Sequence, residues 1–228
     1  MISIFRIVHN VKDMLRIGGD ERMEGIWFIW FMWISWIICT FYLNKSKKRT
    51  WISFWILVII FLFNKSFSIG MYEISYAYLL ISFLCYWLIS SYNIIMMMYM
   101  LFISMILTFL FAGLHLVELY DPVMFLLVDK MWVISALIAI ITIVLVKDLR
   151  GRFVISVSGL IQGELLFKNF LSSIYGVQIL GTATFFDMIA ITSVVIISWH
   201  TFEQFCEYMG QYVRKLPASR GKDIRVFR

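Results

Sequence analysis

The sequence predicts an all-α fold: a polytopic bundle of about seven transmembrane helices, with six crossings as the alternative. Hydrophobic residues make up 62% of the 228 positions and charged residues 15%, whereas soluble domains are nearer half apolar and a quarter charged. The mean hydropathy is +0.88. Apolar runs of roughly 20 residues, which span a hydrocarbon core of about 30 Å, recur along the chain. Only two prolines occur and no long polar linker, so we expect one membrane domain.

Seven apolar segments supply the predicted crossings, in chain order Ile26–Leu43, Trp51–Phe63, Ile74–Ile89, Ile94–Leu116, Met124–Val146, Phe153–Leu171 and Thr182–His200. A basic run, 45–49, ends the first segment, and polar residues 90–93 separate the third from the fourth. The second segment is short and spans only if Asn64 and Lys65 lie at the interface, with the lysine stem extending outward. The fifth ends at the charged run 147–152.

The distribution of charge predicts the orientation. Basic residues concentrate in 44–50, in 147–152 and in the C-terminal tail, while the opposite loops hold Lys65 together with Glu73 and Glu118. Cytoplasmic loops carry such an excess of Lys and Arg. We therefore expect a multi-pass protein of a bacterial plasma membrane, with the N-terminus outside and the C-terminus in the cytoplasm. Because the charges follow topology, the net charge of +6 does not indicate nucleic-acid binding.

Three regions follow from this topology. Residues 1–22 are basic although the topology places them outside, and Gly18 to Asp20 back-translate to a bacterial ribosome-binding sequence just before Met23. We hypothesise that 1–22 are a mis-annotated leader or a disordered extension and that translation starts at Met23; the alternative is a basic amphipathic arm. Residues 23–200 form the bundle. Residues 201–228 form a cytoplasmic amphipathic helix and a basic tail that attracts anionic lipid.

The sixth segment carries the most unusual polar residues. A carboxylate within the membrane is costly, so Glu164 should face the bundle or a water-filled cavity. Lys168 lies four residues on and shares its helix face. The residues support either a proton or solute site around Glu164 and Gln162, or a packing face with an internal ion pair, which we favour. Gly159 and Gly163 predict a close helix contact.

Other polar residues lie near the predicted membrane surfaces. Asp187 either pairs with Lys168 or, as we prefer, sits near the outer interface as an N-terminal charge that complements the helix dipole. His115 with Glu118, and His200 with Glu203, are each spaced to share one helix face. Two ligands are a weak metal signal, so we interpret both as interfacial pairs. Cys39, Cys85 and Cys206 are isolated, and we predict neither metal nor cofactor.

No sequence motif indicates catalysis: HExxH, GxSxG, GxGxxG, CxxC and the P-loop are all absent. We therefore expect a non-enzymatic protein that binds an unidentified membrane-protein partner or acts as an assembly factor. Phe202, Phe205, Met209 and Tyr212 form a helical stripe suited to such contacts. The alternative is a small transporter or proton-coupled carrier built on Glu164, Gln162 and Lys168.

A family resemblance adds to this interpretation. The stretch Met23-Glu24-Gly25-Ile26-Trp27-Phe28, the aromatic residues that follow and the Gln162-Gly163-Glu164 core of the sixth segment resemble the YphA family of Bacillus-type inner-membrane proteins. The resemblance covers nearly the whole chain from Met23. It implies a plasma-membrane protein of endospore-forming bacteria without an established activity and suggests a role in spore envelope assembly. It implies no catalytic residues.

Overall fold

Residues 24–121 and 129–215 are described by a computed structural model, which contains seven α-helices and three short strands. In chain order these are α1 Ile26–Ile37, α2 Lys47–Leu62, β1 Ser66–Ile69, β2 Tyr72–Ser75, α3 Tyr76–Ser90, α4 Ile94–Tyr120, α5 Lys130–Leu145, α6 Leu149–Tyr175, β3 Gln178–Leu180 and α7 Ala183–Lys215. The mostly helical class predicted from the sequence is confirmed. The expected leader, 1–22, and the basic end of the tail lie outside the described residues.

The basic loop between α1 and α2 caps the end of one helix and the start of the next. A π-helical turn, Ile38–Tyr42, extends α1. The guanidinium of Arg49 donates to the carbonyl oxygens of Thr40 and Leu43, each at 3.3 Å. Cations favour the carbonyl end of a helix. Ser46 caps α2 by accepting a hydrogen bond from the backbone N–H of Arg49 at 3.2 Å, so the second helix begins before the apolar run predicted at Trp51–Phe63.

A three-stranded sheet at one end of the bundle corrects the all-α expectation. β1 and β2 form an antiparallel hairpin, and β3 pairs in parallel with β2, with Tyr72 beside Gln178 and Ile74 beside Leu180. Gly70 takes a φ of +58° in the hairpin turn, a conformation that costs glycine little. The third predicted crossing began at Ile74, but that residue is in β2, and α3 starts at Tyr76.

The longest side-by-side contact joins α4 to α6. A Cβ added to Gly159 would lie 2.6 Å from the Cβ of Leu107, and one added to Gly163 would lie 2.8 Å from the Cβ of Phe111. These separations are too short for any side chain at either position. The close helix contact predicted from the glycine spacing is therefore confirmed.

The last helix, α7, packs against α1, α5 and α6. Phe186 of α7 meets Phe28 of α1 with ring centroids 4.9 Å apart, and Phe63 lies 5.3 Å from each of these two rings. Within the described residues, two helices are long and apolar enough to cross a membrane, Ile94–Tyr120 and Ala183–Tyr212. Shorter apolar helices lie at Ile26–Tyr42, Tyr76–Ser90 and Lys130–Leu145.

Candidate functional site

A cavity of about 290 Å³ lies beside the start of α7, just after β3. We call it the polar cavity, because its lining includes five ionisable residues: Glu24, His115, Lys130, Glu164 and Lys168. The rest of the lining is formed by Phe111, Phe167, Thr182, Thr184, Phe185 and Met188. The polar cavity therefore brings together residues from α4, α5, α6 and α7 that are far apart in sequence.

Glu164 is the most deeply buried charge in this lining, with 3% of the residue exposed. Its Oε1 accepts a hydrogen bond from the backbone N–H of Gly181 at 3.3 Å, at the start of α7. Gly181 has a φ of +77°, and a Cβ there would lie 2.7 Å from that of Tyr78. Only glycine brings the backbone this close. Oε2 of Glu164 is buried and forms no hydrogen bond of normal geometry, although the backbone N–H of Thr182 also lies near this carboxylate.

The three basic residues of the polar cavity differ in their partners. Both carboxylate oxygens of Glu118 accept from Nζ of Lys130 at 3.0 Å. Lys168 is half-buried and, within the described residues, forms no ion pair with Glu164. The two opposite charges nevertheless attract each other without a direct contact, so the internal pair expected from the sequence stays a prediction. Lys168 lies one helical turn from Glu164 on the same side of α6.

His115 is held between two aromatic rings, Phe111 at 4.3 Å and Phe167 at 4.9 Å between centroids. Its Nδ1 lies 3.0 Å from the carbonyl oxygen of Phe111. Because a carbonyl only accepts, this hydrogen bond requires the proton on Nδ1, which leaves Nε2 as an acceptor. His115 therefore lines the polar cavity, while Glu118 pairs with Lys130 and not with His115.

Gln162 lies apart from the polar cavity. Its Oε1 accepts from Thr108 Oγ1 at 3.1 Å, and its Nε2 donates to the hydroxyl of Tyr86 at 3.0 Å. Two residues along a helix point in nearly opposite directions. Gln162 therefore links α6 to α3 and α4, and the structure does not bring it together with Glu164 in one site.

Asp187 is also separate from the polar cavity, and it contacts a different helix from the one expected. Its Oδ1 accepts from the backbone N–H of Phe28 at 2.8 Å, and its Oδ2 from that of Gly25 at 2.6 Å. The carboxylate, in a residue 1% exposed, thus caps the N-terminus of α1 from the side. The prediction placed a negative charge at a helix N-terminus, but the capped helix is α1 and not α7.

At the opposite end of the bundle, Arg152 is buried and joins three helices. It donates to Glu203 of α7 at 2.8 and 3.1 Å, and its Nε donates to the carbonyl oxygen of Val146, after α5, at 2.6 Å. The hydrogen bonds from Arg152 lower the pKa of Glu203 to about 2. His200 lies 3.7 Å from Glu203, so the expected pair is secondary to the arginine contact.

Two of these roles, those of Arg152 and Lys130, were not predicted from the sequence. Arg152 was counted among loop charges, but α6 begins at Leu149, which places Arg152 in its first turn. A cation is unfavourable at a helix N-terminus, and that mismatch was the available signal. The contact of Lys130 with Glu118 was not predicted, because it bridges α4 and α5 and no local pattern reveals it.

The polar cavity has the kinds of group that bind a small molecule. Within the described parts of the chain, no three His, Cys, Asp or Glu side chains meet in a way that would hold a metal ion. The polar cavity combines an unpartnered carboxylate oxygen, an ammonium group and an imidazole against an aromatic wall. Small-molecule sites combine such walls with a few polar groups.

Comparisons with known proteins agree with the membrane character. The sequence model of a family described as YphA-like integral membrane protein matches residues 24–222. The uncharacterised protein YphA of Bacillus subtilis (strain 168) is 25% identical over 189 residues, which cover 83% of this chain and 94% of that protein. No solved structure matches the chain. This chain belongs to the YphA-like family of integral membrane proteins, as the sequence resemblance indicated.

Proposed function

We propose that the chain crosses a bacterial plasma membrane seven times, with the sheet and the polar cavity toward the outer side. The pairing of β2 with β3 supports this, because it places the α2–α3 and α6–α7 connections at one end of the bundle. The other end carries the basic loops at 45–49 and 147–152. Helices of 15 or 16 residues reach only about 24 Å, a mismatch that local thinning of the bilayer accommodates.

Cysteine labelling tests this orientation. Cys206 is exposed on α7 and Cys85 is buried, while Ser68 is exposed on β1. In intact cells, an impermeant maleimide should label a Ser68→Cys variant and should reach Cys206 only after permeabilisation. Cys39 and Cys85 are replaced by alanine in both proteins, and Cys206 is replaced as well in the Ser68→Cys variant, so that each protein has a single probe. Labelling of Cys206 in intact cells would show that the orientation is the opposite of the one proposed.

We further propose that the protein binds a small polar solute in the polar cavity, as a carrier or receptor and not as an enzyme. The observation that supports this most directly is Oε2 of Glu164, which is buried beside the cavity without a partner. A buried polar atom without a hydrogen bond costs about 1–3 kcal/mol. A ligand that donates to Oε2 removes this penalty. The carrier hypothesis therefore rests on Glu164, Lys168 and His115, and no longer on Gln162.

The test is solute-dependent thermal stabilisation of the purified protein, using a panel of small polar metabolites. Thr184 is half-buried at the cavity wall. A Thr184→Trp substitution should fill the space and abolish every stabilisation, while Thr184→Ser should retain them all. If no solute stabilises the native protein, or if Thr184→Trp leaves the shifts unchanged, the proposed site is wrong.

A second candidate function is partner binding on the extension of α7. Phe202, Phe205 and Tyr212 are all exposed there, at the helical spacing of one stripe. This supports a partner-binding or assembly role, whereas the spore envelope role comes from the family resemblance alone. Photo-crosslinkers placed in the stripe should capture one membrane protein at constant stoichiometry. Crosslinks to lipid alone would favour a surface helix with a lipid-binding tail.

A further inference from the structure

We infer that the ligand of the polar cavity is a small zwitterion of the amino-acid class, with an ammonium group at Glu164 and a carboxylate at Lys168. This inference rests on the proposed solute-binding function and adds the chemical class of the solute. It follows from the states of Glu164, Lys130 and Lys168, since Glu24, the other carboxylate of the lining, already has an interaction of its own.

Glu164 provides the anionic half of the site. One carboxylate oxygen already accepts a hydrogen bond from Gly181, which fixes the side chain, and the other oxygen has no partner. A carboxylate oxygen accepts and does not donate when ionised. A donor completes Oε2 when the group is ionised, and an ammonium group favours that ionised form because it neutralises the buried charge. Phe111, Phe167 and Phe185 also line the cavity and form its aromatic wall.

Lys168 provides the cationic half. The other lysine of the lining, Lys130, is neutralised by Glu118 at 3.0 Å. Among the residues that the structure describes, no carboxylate is ion-paired with Lys168. Its ammonium group lines the same cavity as Glu164 and needs an acceptor that carries negative charge.

The spacing of the two halves selects a ligand with both charges. Side chains one helical turn apart have Cβ atoms about 6 Å from each other, so one small molecule reaches both. A simple anion would compete with Glu164 for Lys168, and a simple amine would compete with Lys168 for Glu164, whereas a zwitterion supplies a partner to both. Unpaired charges in a low-dielectric site are costly. The volume of about 290 Å³ and the apolar wall accommodate a side chain as well.

The experiment measures binding of the twenty L-amino acids, β-alanine and γ-aminobutyrate to the full chain in nanodiscs. Each compound that binds is compared with its N-acetyl derivative and its amide, which retain only one charge each. We expect at least one free amino acid to bind, and both derivatives to bind at least tenfold more weakly. If none of the zwitterions binds, or if a derivative binds as tightly, the inference is refuted.

Two variants assign the charges. Glu164→Gln keeps an oxygen for the Gly181 hydrogen bond, so it should fold, and it should bind the amino acid and its N-acetyl derivative equally. Lys168→Gln should bind the amino acid and its amide equally. Glu207→Gln, on the exposed extension of α7, is the control and should leave the affinity unchanged. If both variants retain the native preference, neither residue binds the ligand charges.

These outcomes separate the inference from the function it rests on. A solute from the metabolite panel that binds, is blocked by Thr184→Trp and is not a zwitterion would refute the inference and leave the solute-binding proposal intact. Failure of the metabolite panel and of the amino-acid panel would refute both.

Discussion

Replacing Asp187 with alanine should destabilise the bundle far more than removing an ordinary helix cap. The substitution leaves the backbone N–H groups of Gly25 and Phe28 without acceptors, in a site where the native residue is 1% exposed. At about 1–3 kcal/mol for each unsatisfied donor, we expect a loss of about 2–6 kcal/mol in the free energy of unfolding. Asp187→Asn keeps one carbonyl oxygen as an acceptor. Its free energy of unfolding should therefore lie between those of the native protein and of Asp187→Ala.

The matched control is Asp148→Ala. Asp148 also caps a helix, but it is exposed and accepts one hydrogen bond, from Gly151 at 3.0 Å, so its loss should cost about 1 kcal/mol. Unfolding in mixed micelles measures both free energies, and hydrogen exchange at Gly25 and Phe28 locates the effect. Equal losses for the two alanine variants, or unchanged exchange at α1, would show that Asp187 does not cap this helix.

Two further predictions concern packing and the ion pair at the other end. Gly159→Ala should cost about 1–3 kcal/mol through overpacking against Leu107, whereas Gly113→Ala, with no atom within 4 Å of the new Cβ, should be neutral or stabilising in the same unfolding assay. Glu203→Gln should lower thermal stability above pH 4.5. Because Arg152 lowers the pKa of Glu203 from 4.5 to about 2, this difference should shrink as the pH falls through that range.

Each of these has a clear contrary result. Equal effects of alanine at Gly159 and Gly113 would mean that α4 and α6 do not approach as closely as described. A stability difference for Glu203→Gln that stays constant down to pH 2 would mean that the ionised carboxylate contributes nothing through Arg152.

Local patterns predicted the features that one helix determines by itself. The start of α4 at Ile94 and the glycine face of α6 could both be predicted from the sequence, because apolar length and residue spacing are properties of a single segment. The sheet could not be predicted from the sequence, because Tyr72 pairs with Gln178, more than a hundred residues later. Backbone pairing over that distance depends on how the helices between the strands pack.

The candidate site was predicted in part for the same reason. Glu164 and Lys168 were identified because charged residues in an apolar segment are unusual. The residues around them were not identified, because His115 and Lys130 reach the polar cavity from other helices. The partners of Asp187 were missed because the two donors at the start of α1 are backbone N–H groups, which leave no mark on the sequence.

The cap on α1 has a consequence for biogenesis. Asp187 lies 162 residues after Gly25, so the first helix enters the membrane long before the side chain that completes it is made. At roughly 5–20 residues per second, the ribosome needs about 10–30 s to bridge that gap. During this interval the amide groups at the start of α1 depend on water, lipid headgroups or an insertion factor. Nascent chains stalled before Asp187 should therefore expose α1 to proteases, and release of the complete chain should end that exposure.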